Sequence, residues 1–322
     1  GPGRTTRQRT TGPAAQVYED ITYDLDKMGL LLGSNDTAPG NTEAVSYTYD
    51  PLYQIRGYTA DDGAGPVSRA YDYVRQFNLA TQGETNAAFQ FDDAAHPDRI
   101  SGGNFGGGPQ PFAYDSNGNL RALPGKTLQY NVKNELSNFT GQGGVSAAYA
   151  YDHEGFRVSK TVDDGHGGVV STFFVGREVE IRSGNPAVFV TLGGRRVGIL
   201  RPARTDFVHT DHAGNTRFFT DGAGTKIAAI AYRPFGNIAR SNGVIDSRTY
   251  GYHPFDDETG FYYMKRRYYS PELGRFLTPD PLSLYQPHKF LSNPKALHPY
   301  AYAGNDPLNH VDPEGLSFCS VF

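Results

Sequence analysis

Two Asp-Pro steps, Asp280-Pro281 and Asp312-Pro313, lie near the C-terminal end of this 322-residue chain. Two carboxylates close enough to share one proton can hydrolyse a peptide bond at neutral pH, because one activates water while the other protonates the leaving amine. An Asp-Pro step is also a common turn opener, and the chain has two more, Asp50-Pro51 and Asp306-Pro307. The dipeptides alone therefore leave open both a catalytic pair and ordinary turns.

The composition indicates a β-rich protein with many turns. Gly 39 and Pro 21 are frequent, yet Tyr 22 and Phe 20 supply far more aromatic mass than a disordered chain carries. The net charge of -4 creates no basic field for nucleic acid or an anionic membrane, and no apolar run reaches the roughly eighteen residues of a membrane span. The single cysteine, Cys319, excludes an internal disulfide.

A repeated unit predicts stacked β-hairpins. Each copy has an aromatic residue, a short polar residue, a turn and an alternating strand. The starts lie 16 to 23 residues apart, at Tyr49, Tyr71, Phe91, Tyr114, Tyr130 and Tyr151. One hairpin cannot bury its apolar face alone, so the units must stack on their neighbours. We expect an all-β fold, with short helices considered only near Lys295 to Leu297 and from Asp24 to Leu32.

The chain divides into four predicted parts. Residues 1–16 are basic and turn-rich, and are interpreted as a flexible linker or a remnant of cloning or processing. Residues 17–250 form the repeat shell, and residues 251–316 form a specialised, aromatic-rich end. Residues 317–322 follow it.

Three long motifs carry a family resemblance. They are "HTDHAGNTRFFTDGAGTKIAAIAYRPFG", "DDETGFYYMKRRYYSPELGRFLTPDP" and "LHPYAYAGNDPLNHVDPEGL". With the repeats, they resemble the RHS, or YD-repeat, proteins and their RHS-associated core domain, over about the last 270 residues. The resemblance implies hairpins that curl into a cocoon-like shell with a C-terminal plug. In RHS toxins and the C components of bacterial toxin complexes, such a shell encloses a toxin and cuts it free.

The resemblance also implies site residues. Asp280 and Asp312 occupy the positions of the two catalytic aspartates, and the chain would be cut after Leu316, before Ser317. The aspartates are 32 positions apart, longer than in the compact core, because "SLYQPHKFLSNPKALHP" is inserted. Arg275 is our first choice for an arginine that holds a carboxylate ionised or clamps the plug. A solvated strand position remains the alternative for this residue.

Arg266 and Arg267 rank below Arg275 for that role. His209 and His212, in "HTDH", would point to opposite faces of an extended strand, which favours a hairpin turn over a metal site. The prediction includes no metal and no cofactor.

Two functions follow as hypotheses. The first is a secreted or cell-surface-delivered shell whose partners are its own C-terminal toxin segment and a delivery apparatus. The second is a YD-repeat adhesion or carbohydrate-binding protein without catalytic activity, in which exposed tyrosines stack on sugars. A homo-oligomer is also expected, because open sheet edges pair readily.

Overall fold

The protein consists almost entirely of antiparallel β-sheet, as predicted. The structure, a computed structural model, describes residues 6–39, 43–61, 65–74, 77–83, 85–193, 195–243, 249–291, 294–316 and 318–321. Within these residues each sheet joins strands that are consecutive in the chain, without crossovers. This is the topology expected of hairpins stacked in sequence order, and the all-β prediction is confirmed.

The first half of the chain contains two sheets and the start of a third. The six-stranded sheet comprises β1 (Arg7–Thr11), β2 (Val17–Leu25), β3 (Leu31–Asp36), β4 (Glu43–Tyr49), β5 (Ile55–Asp61) and β6 (Pro66–Ala70). The next comprises β7 (Asp72–Val74), β8 (Asn78–Gln82), β9 (Ala87–Gln90), β10 (Gly102–Asn104) and β11 (Pro109–Pro111).

The third sheet is the largest among the described residues, with 14 strands. It comprises β12 (Ala113–Tyr114), β13 (Leu120–Leu123), β14 (Lys126–Tyr130), β15 (Leu136–Thr140), β16 (Ser146–Tyr151), β17 (Arg157–Asp163), β18 (Val169–Val175), β19 (Val179–Arg182), β20 (Asn185–Leu192), β21 (Arg195–Leu200), β22 (Thr205–Thr210), β23 (Thr216–Thr220), β24 (Lys226–Tyr232) and β25 (Ile238–Asn242).

The C-terminal part contains short strands and the helical turns that carry the candidate site. Its strands are β26 (Thr249–Tyr250), β27 (His253–Asp256), β28 (Phe261–Met264), β29 (Arg267–Ser270), β30 (Arg275–Phe276), β31 (His310–Val311) and β32 (Cys319–Ser320). The α-helix α1 spans Pro281–Tyr285, and 3-10 turns span Pro13–Ala15, Gln142–Gly144, Pro287–Phe290, Pro294–Leu297 and Ala303–Asn305. In the described part of the chain, no helix is long and apolar enough to cross a membrane.

The tyrosine and the aspartate of the YD repeat have separate structural roles. In the unit that starts at Tyr151, Oδ1 of Asp152 accepts from the amides of Glu154 and Phe156, both at 2.9 Å, and so closes the turn. The Tyr151 hydroxyl donates to the carbonyl of Leu136 on the preceding hairpin at 2.7 Å. The aspartate therefore shapes one hairpin while the tyrosine ties it to the one before.

Two predicted units depart from this pattern. Asp72 lies in strand β7, where its carboxylate accepts from Thr81, and the amide of Asp92 donates to the Ser101 hydroxyl. In the first case a side chain of the adjacent strand β8 binds the aspartate. In the second, Asp93 closes the turn one residue later, by accepting from the amides of Ala95 and His96.

The structure differs from the sequence analysis in two places near the N-terminus. Residues 7–11, placed in a linker by the sequence, form β1, because they pair with β2 and Arg7 binds Asp20 at 2.7 Å. Residues 24–32 are not helical, since Asp26 closes the turn between β2 and β3. The short helical turn predicted near Lys295 is present as the Pro294–Leu297 3-10 turn.

The N-terminal sheet packs against the far end of the 14-stranded sheet. Nε of Arg217 on β23 lies 3.0 Å from Glu19 on β2, and Arg217 also pairs with Asp36 and Glu43. The rings of Tyr18 and Phe218 meet at 5.7 Å. These contacts curl the chain back on itself.

The segment from residue 251 to residue 316, called the core segment below, contacts all three of these sheets. Gln82 on β8 donates to the carbonyl of Pro271 at 2.9 Å, and the amide of Leu120 on β13 donates to that of Leu277 at 2.8 Å. The amide of Leu31 on β3 donates to Asn309 Oδ1 at 2.8 Å. The core segment is therefore packed against all three sheets. Its own core consists of Tyr262, Met264, Tyr269, Phe276, Tyr302 and Ala303, and Tyr250 packs with them.

Candidate functional site

Arg267 lies at the centre of the candidate site, at the start of β29. Its guanidinium lies over the Phe276 ring, 3.5 Å from the ring centroid. The side chain is only 3% exposed, and burial lowers the pKa of the guanidinium against the opposing effect of the carboxylates beside it. A buried arginine needs such partners, because an unpaired charge away from water is costly.

Asp280 and Asp312 both pair with one nitrogen of Arg267. Nη2 lies 3.0 Å from Oδ2 of Asp280 and 3.4 Å from Oδ2 of Asp312. The two carboxylate oxygens are therefore no further apart than the sum of these distances. Both aspartates are buried. The structure thus brings the two residues together despite the inserted segment between them.

Asp280 reaches this position as the N-cap of helix α1. Its Oδ1 accepts from the amide of Leu282 at 2.8 Å, and Pro281 takes the first helical position, where no N–H is needed. The amide of Asp280 donates to the carbonyl of Pro299 at 2.8 Å. Burial raises the pKa of the Asp280 carboxyl, and Arg267 only partly opposes that shift. Such a carboxyl is suited to hold the proton of a shared pair.

Asp312 and Arg267 together bind the chain that leads to the predicted cut. Oδ1 of Asp312 accepts from the amide of Leu316 at 2.9 Å, while Nε of Arg267 donates to the carbonyl of Gly315. The peptide group between Gly315 and Leu316 is thus bound at both its oxygen and its N–H. Gly315 permits this approach, since its φ is +71° and a Cβ would lie 2.2 Å from the Met264 carbonyl. Ser317 lies outside the described residues.

The arginine ranked first by sequence lies in a different buried cluster. Nη2 of Arg275 donates to the carbonyl of Asp98 at 2.8 Å and to Oδ1 of Asn78 at 3.3 Å. No hydrogen bond or ion pair found for Arg275 in the described residues reaches Asp280 or Asp312. Arg266 is exposed and donates to the carbonyl of Glu154. No pattern in the "KRRYY" run separates Arg267 from its neighbours, so only the strand register identifies it.

His253 is a further residue at the site that carried no signal in the sequence. Its Nε2 donates to the backbone carbonyl of Asp312 at 2.8 Å, and the residue is buried. Burial lowers the pKa of His253 to about 4. The ring is therefore neutral at pH 7, and it helps to hold the turn that carries Asp312.

Acidification is expected to destabilise the protein through this histidine. The folded pKa of about 4 lies below the ordinary histidine value of 6.5, so the unfolded state binds the proton more tightly. The stabilisation is fully present above pH 6.5 and is lost as the pH falls towards 4, by about 3 kcal/mol in total. His253→Gln keeps an N–H donor but cannot titrate, so its unfolding free energy should fall less over this range in urea titrations.

The matched control is His153→Gln, because the His153 side chain is 90% exposed. This variant should follow the wild-type pH profile. Identical profiles for His253→Gln and the wild type would contradict the assigned role. Asp280 has the opposite effect on the pH dependence of stability. Its pKa is raised in the folded state, so protonation of this carboxyl at low pH favours folding.

The histidines of "HTDH" have separate surroundings. The ring of His209 stacks on Phe218 at 4.2 Å and Nε2 of His209 bonds the Thr220 hydroxyl at 3.0 Å. Nε2 of His212 donates to the carbonyl of Leu308 at 3.1 Å. Among the residues that the structure describes, no group of three His, Cys, Asp or Glu side chains is arranged to hold a metal ion.

Comparison with protein families identifies the fold family. A family model described as teneurin YD-shell matches residues 6–183 and 192–308. The chain belongs to the teneurin YD-shell family. The resemblance to YD-repeat proteins is thereby confirmed. The matched region of this YD-shell chain includes Asp280 and Arg267 and ends before Asp312.

Solved structures of toxin complexes share the fold of this YD-shell chain. The crystal structure of TcdB2-TccC3-Cdc42 superposes with a TM-score of 0.76 over 96% of this chain and 18% of that chain, at 20% identity. The Photorhabdus luminescens Tc holotoxin pore, in a TccC3 mutant form, gives 0.75 over 97% of this chain and 17% of that chain, also at 20% identity. At this identity the likeness is one of fold alone.

Curated relatives of the YD-shell chain include toxins. Toxin subunit YenC1 of Yersinia entomophaga is 26% identical, and the match covers 98% of this chain and 38% of that protein. The tRNA nuclease WapA of Bacillus subtilis is 31% identical over 64% of this chain and 9% of that protein. Toxin protein Tse5 of Pseudomonas aeruginosa is 36% identical over 43% of this chain and 10% of that protein. This chain therefore spans less than two fifths of the length of each of these relatives.

Proposed function

We propose that this chain is part of a toxin-delivery shell and that it cuts its own backbone after Leu316. The observation that carries the proposal is the shared contact of Asp280 and Asp312 with Arg267, next to the bound peptide group of Gly315 and Leu316. The toxin names of the YenC1 and Tse5 relatives support the delivery role. The cargo would be the polypeptide attached beyond the cut.

The proposed reaction uses one water and one proton shared by the two carboxyls. The raised pKa of Asp280 favours it as the protonated member, and Asp312 then acts as the base. The water oxygen attacks the Leu316 carbonyl carbon and gives a proton to Asp312. Asp280 gives its proton to the Ser317 nitrogen as the C–N bond breaks. The products are a carboxyl group on Leu316 and an amine on Ser317, and tethering supplies a high effective concentration.

The partners of the shell are also part of the proposal. They are its own C-terminal toxin segment and a secretion or delivery apparatus, which would place the protein outside the producing cell. The homo-oligomer expected from open edges stays a prediction. The alternative, sugar binding by exposed tyrosines, would depend on residues such as Tyr53 and Tyr285, because Tyr71, Tyr262, Tyr269 and Tyr302 are fully buried in the core.

Removing either carboxylate should stop cleavage. We expect a chain extended beyond Phe322 by a tagged, folded domain to yield two fragments on a denaturing gel, whereas Asp280→Asn and Asp312→Asn each stay intact. Both asparagines retain an acceptor for the amides of Leu282 and Leu316, so the variants should still fold. Circular dichroism and thermal melting would verify the fold.

The matched control is Asp50→Asn, an Asp-Pro step whose carboxylate closes a turn between β4 and β5. This variant should cleave like the wild type. Cleavage of both site variants at the wild-type rate, or a folded wild type that stays intact, would show that the Asp-Pro steps of the site are only turns.

A further inference from the structure

The chain beyond the predicted cut returns to the strand that precedes Asp312. β32 pairs antiparallel with β31, with His310 opposite Ser320 and Val311 opposite Cys319. The amide of Val321 extends this ladder by donating to the carbonyl of Asn309 at 2.9 Å. β31 and β32 therefore form a hairpin, and the bond predicted to be cut lies between these two strands in the sequence.

Phe318 anchors the returning strand. Its ring meets the ring of His310 edge to face at 5.2 Å and packs against the aromatic core of the core segment. Gly304 provides the room, because a Cβ at this position would lie 3.0 Å from Cζ of Phe318. The side chains of Cys319 and Ser320 are exposed in contrast. The contacts therefore favour an apolar ring at position 318 and backbone pairing after it.

The scissile segment is thus held from both sides. On the N-terminal side, Arg267 and Asp312 bind the peptide group between Gly315 and Leu316. On the C-terminal side, Phe318 and the ladder fix the direction of the chain. Holding both sides matters, because an intramolecular reaction loses much of its rate when the reacting carbonyl is misplaced by about 1 Å.

We propose that Phe318–Val321 is the recognition element on the C-terminal side of the cut, with the Phe318 ring as its specificity-determining contact. The inference rests on the proposed self-cleavage and deepens it. The shell would bind the first residues of its own cargo. It would accept an aromatic residue at the second position after the cut, and it would require a backbone N–H donor at residue 321. Phe318 acts as a positioning residue, since it orients the bond without touching the reacting carboxyls.

The test measures the rate of self-cleavage in the extended chain, followed in time during cell-free synthesis. We expect Phe318→Ala and Val321→Pro to slow cleavage at least about tenfold. Phe318→Tyr keeps the ring and Val321→Ala keeps the amide donor, so both should retain most of the rate. The matched control for loss of an apolar side chain is Val132→Ala, since Val132 is 99% exposed, and it should leave the rate unchanged. The thermal midpoint should stay unchanged in Val132→Ala, and circular dichroism should show that all of these variants fold.

A second measurement separates docking of the strand from cleavage. In the extended Asp280→Asn chain, which should stay intact, hydrogen exchange at the Val321 amide should be slow and should become fast when Phe318→Ala is added. A fast-exchanging Val321 amide in the single variant overturns the inference. Wild-type cleavage rates for both Phe318→Ala and Val321→Pro overturn it while self-cleavage stands. An unmutated chain that never cleaves overturns self-cleavage and this inference with it, even if the strand is docked.

Discussion

Arg267→Met should abolish self-cleavage and lower the free energy of unfolding by about 3–5 kcal/mol, the range typical of a broken buried ion pair. The substitution leaves Asp280 and Asp312 buried without their common cation. It also removes the donors to the carbonyls of Gly315 and Pro299. Urea unfolding measures the stability, and a denaturing gel of the extended chain measures cleavage.

Two further variants test whether geometry as well as charge is required. Arg267→Lys keeps the charge but places all its donors on one nitrogen. Arg267 binds the Gly315 carbonyl through Nε and both carboxylates through Nη2, so the lysine should not restore cleavage. Arg266→Met removes the neighbouring arginine, which is exposed, and should change stability little. An Arg267→Met protein that is as stable as the wild type, or that still cleaves, would contradict the central role of this residue.

Asp256→Ala should also lower the free energy of unfolding by about 3–5 kcal/mol. Asp256 on β27 pairs with Arg157 on β17 through both carboxylate oxygens, and its Oδ1 lies 2.8 Å from Nζ of Lys160. The side chains of Arg157 and Asp256 are each 2% exposed. Burial raises the pKa of Asp256, but the cations beside it outweigh burial and the net shift is downward. Removing the carboxylate would leave the buried guanidinium of Arg157 without the Asp256 counter-charge. It would also weaken the contact between the core segment and the 14-stranded sheet.

The adjacent carboxylate provides the control for this prediction. Asp257 is exposed, so Asp257→Ala should alter the unfolding free energy by less than about 0.5 kcal/mol. Urea or thermal unfolding of both variants gives the comparison. Equal losses for Asp256→Ala and Asp257→Ala would mean that the buried pair does not hold the core segment in place.

Local chemistry explains why the all-β fold could be predicted. The tyrosine, the aspartate and the following turn of each repeat lie within one hairpin or in adjacent hairpins, as at Tyr151 and Asp152. Residues that are close in the sequence are therefore also close in the structure. The same locality explains the capping by Asp280, which needs only the next two residues. The N-terminal strand β1 was missed because its partners, Asp20 on β2 and Thr210 on β22, lie outside its own polar stretch.

The aspartates of the candidate site could be named from motifs, but the contacts among them could not. The insertion separates Asp280 from Asp312, and only the folded core segment places both carboxylates beside one guanidinium nitrogen of Arg267. Arg275 had the same residue type in a similar motif, yet its strand position directs it to Asn78 and Asp98. His253 bonds a backbone carbonyl, and such a contact leaves no pattern of residue types.

The sequence by itself determined the hairpin repeat, the all-β class and the identity of the two Asp-Pro steps, because these depend on residues that are neighbours in the chain. The tertiary structure decided which arginine joins the aspartates, which histidine supports them and where the chain beyond Leu316 docks. Those choices depend on strand register and on the packing of the core segment against three sheets. Long-range contacts of this kind are set by the burial of the whole segment, and no local pattern encodes them.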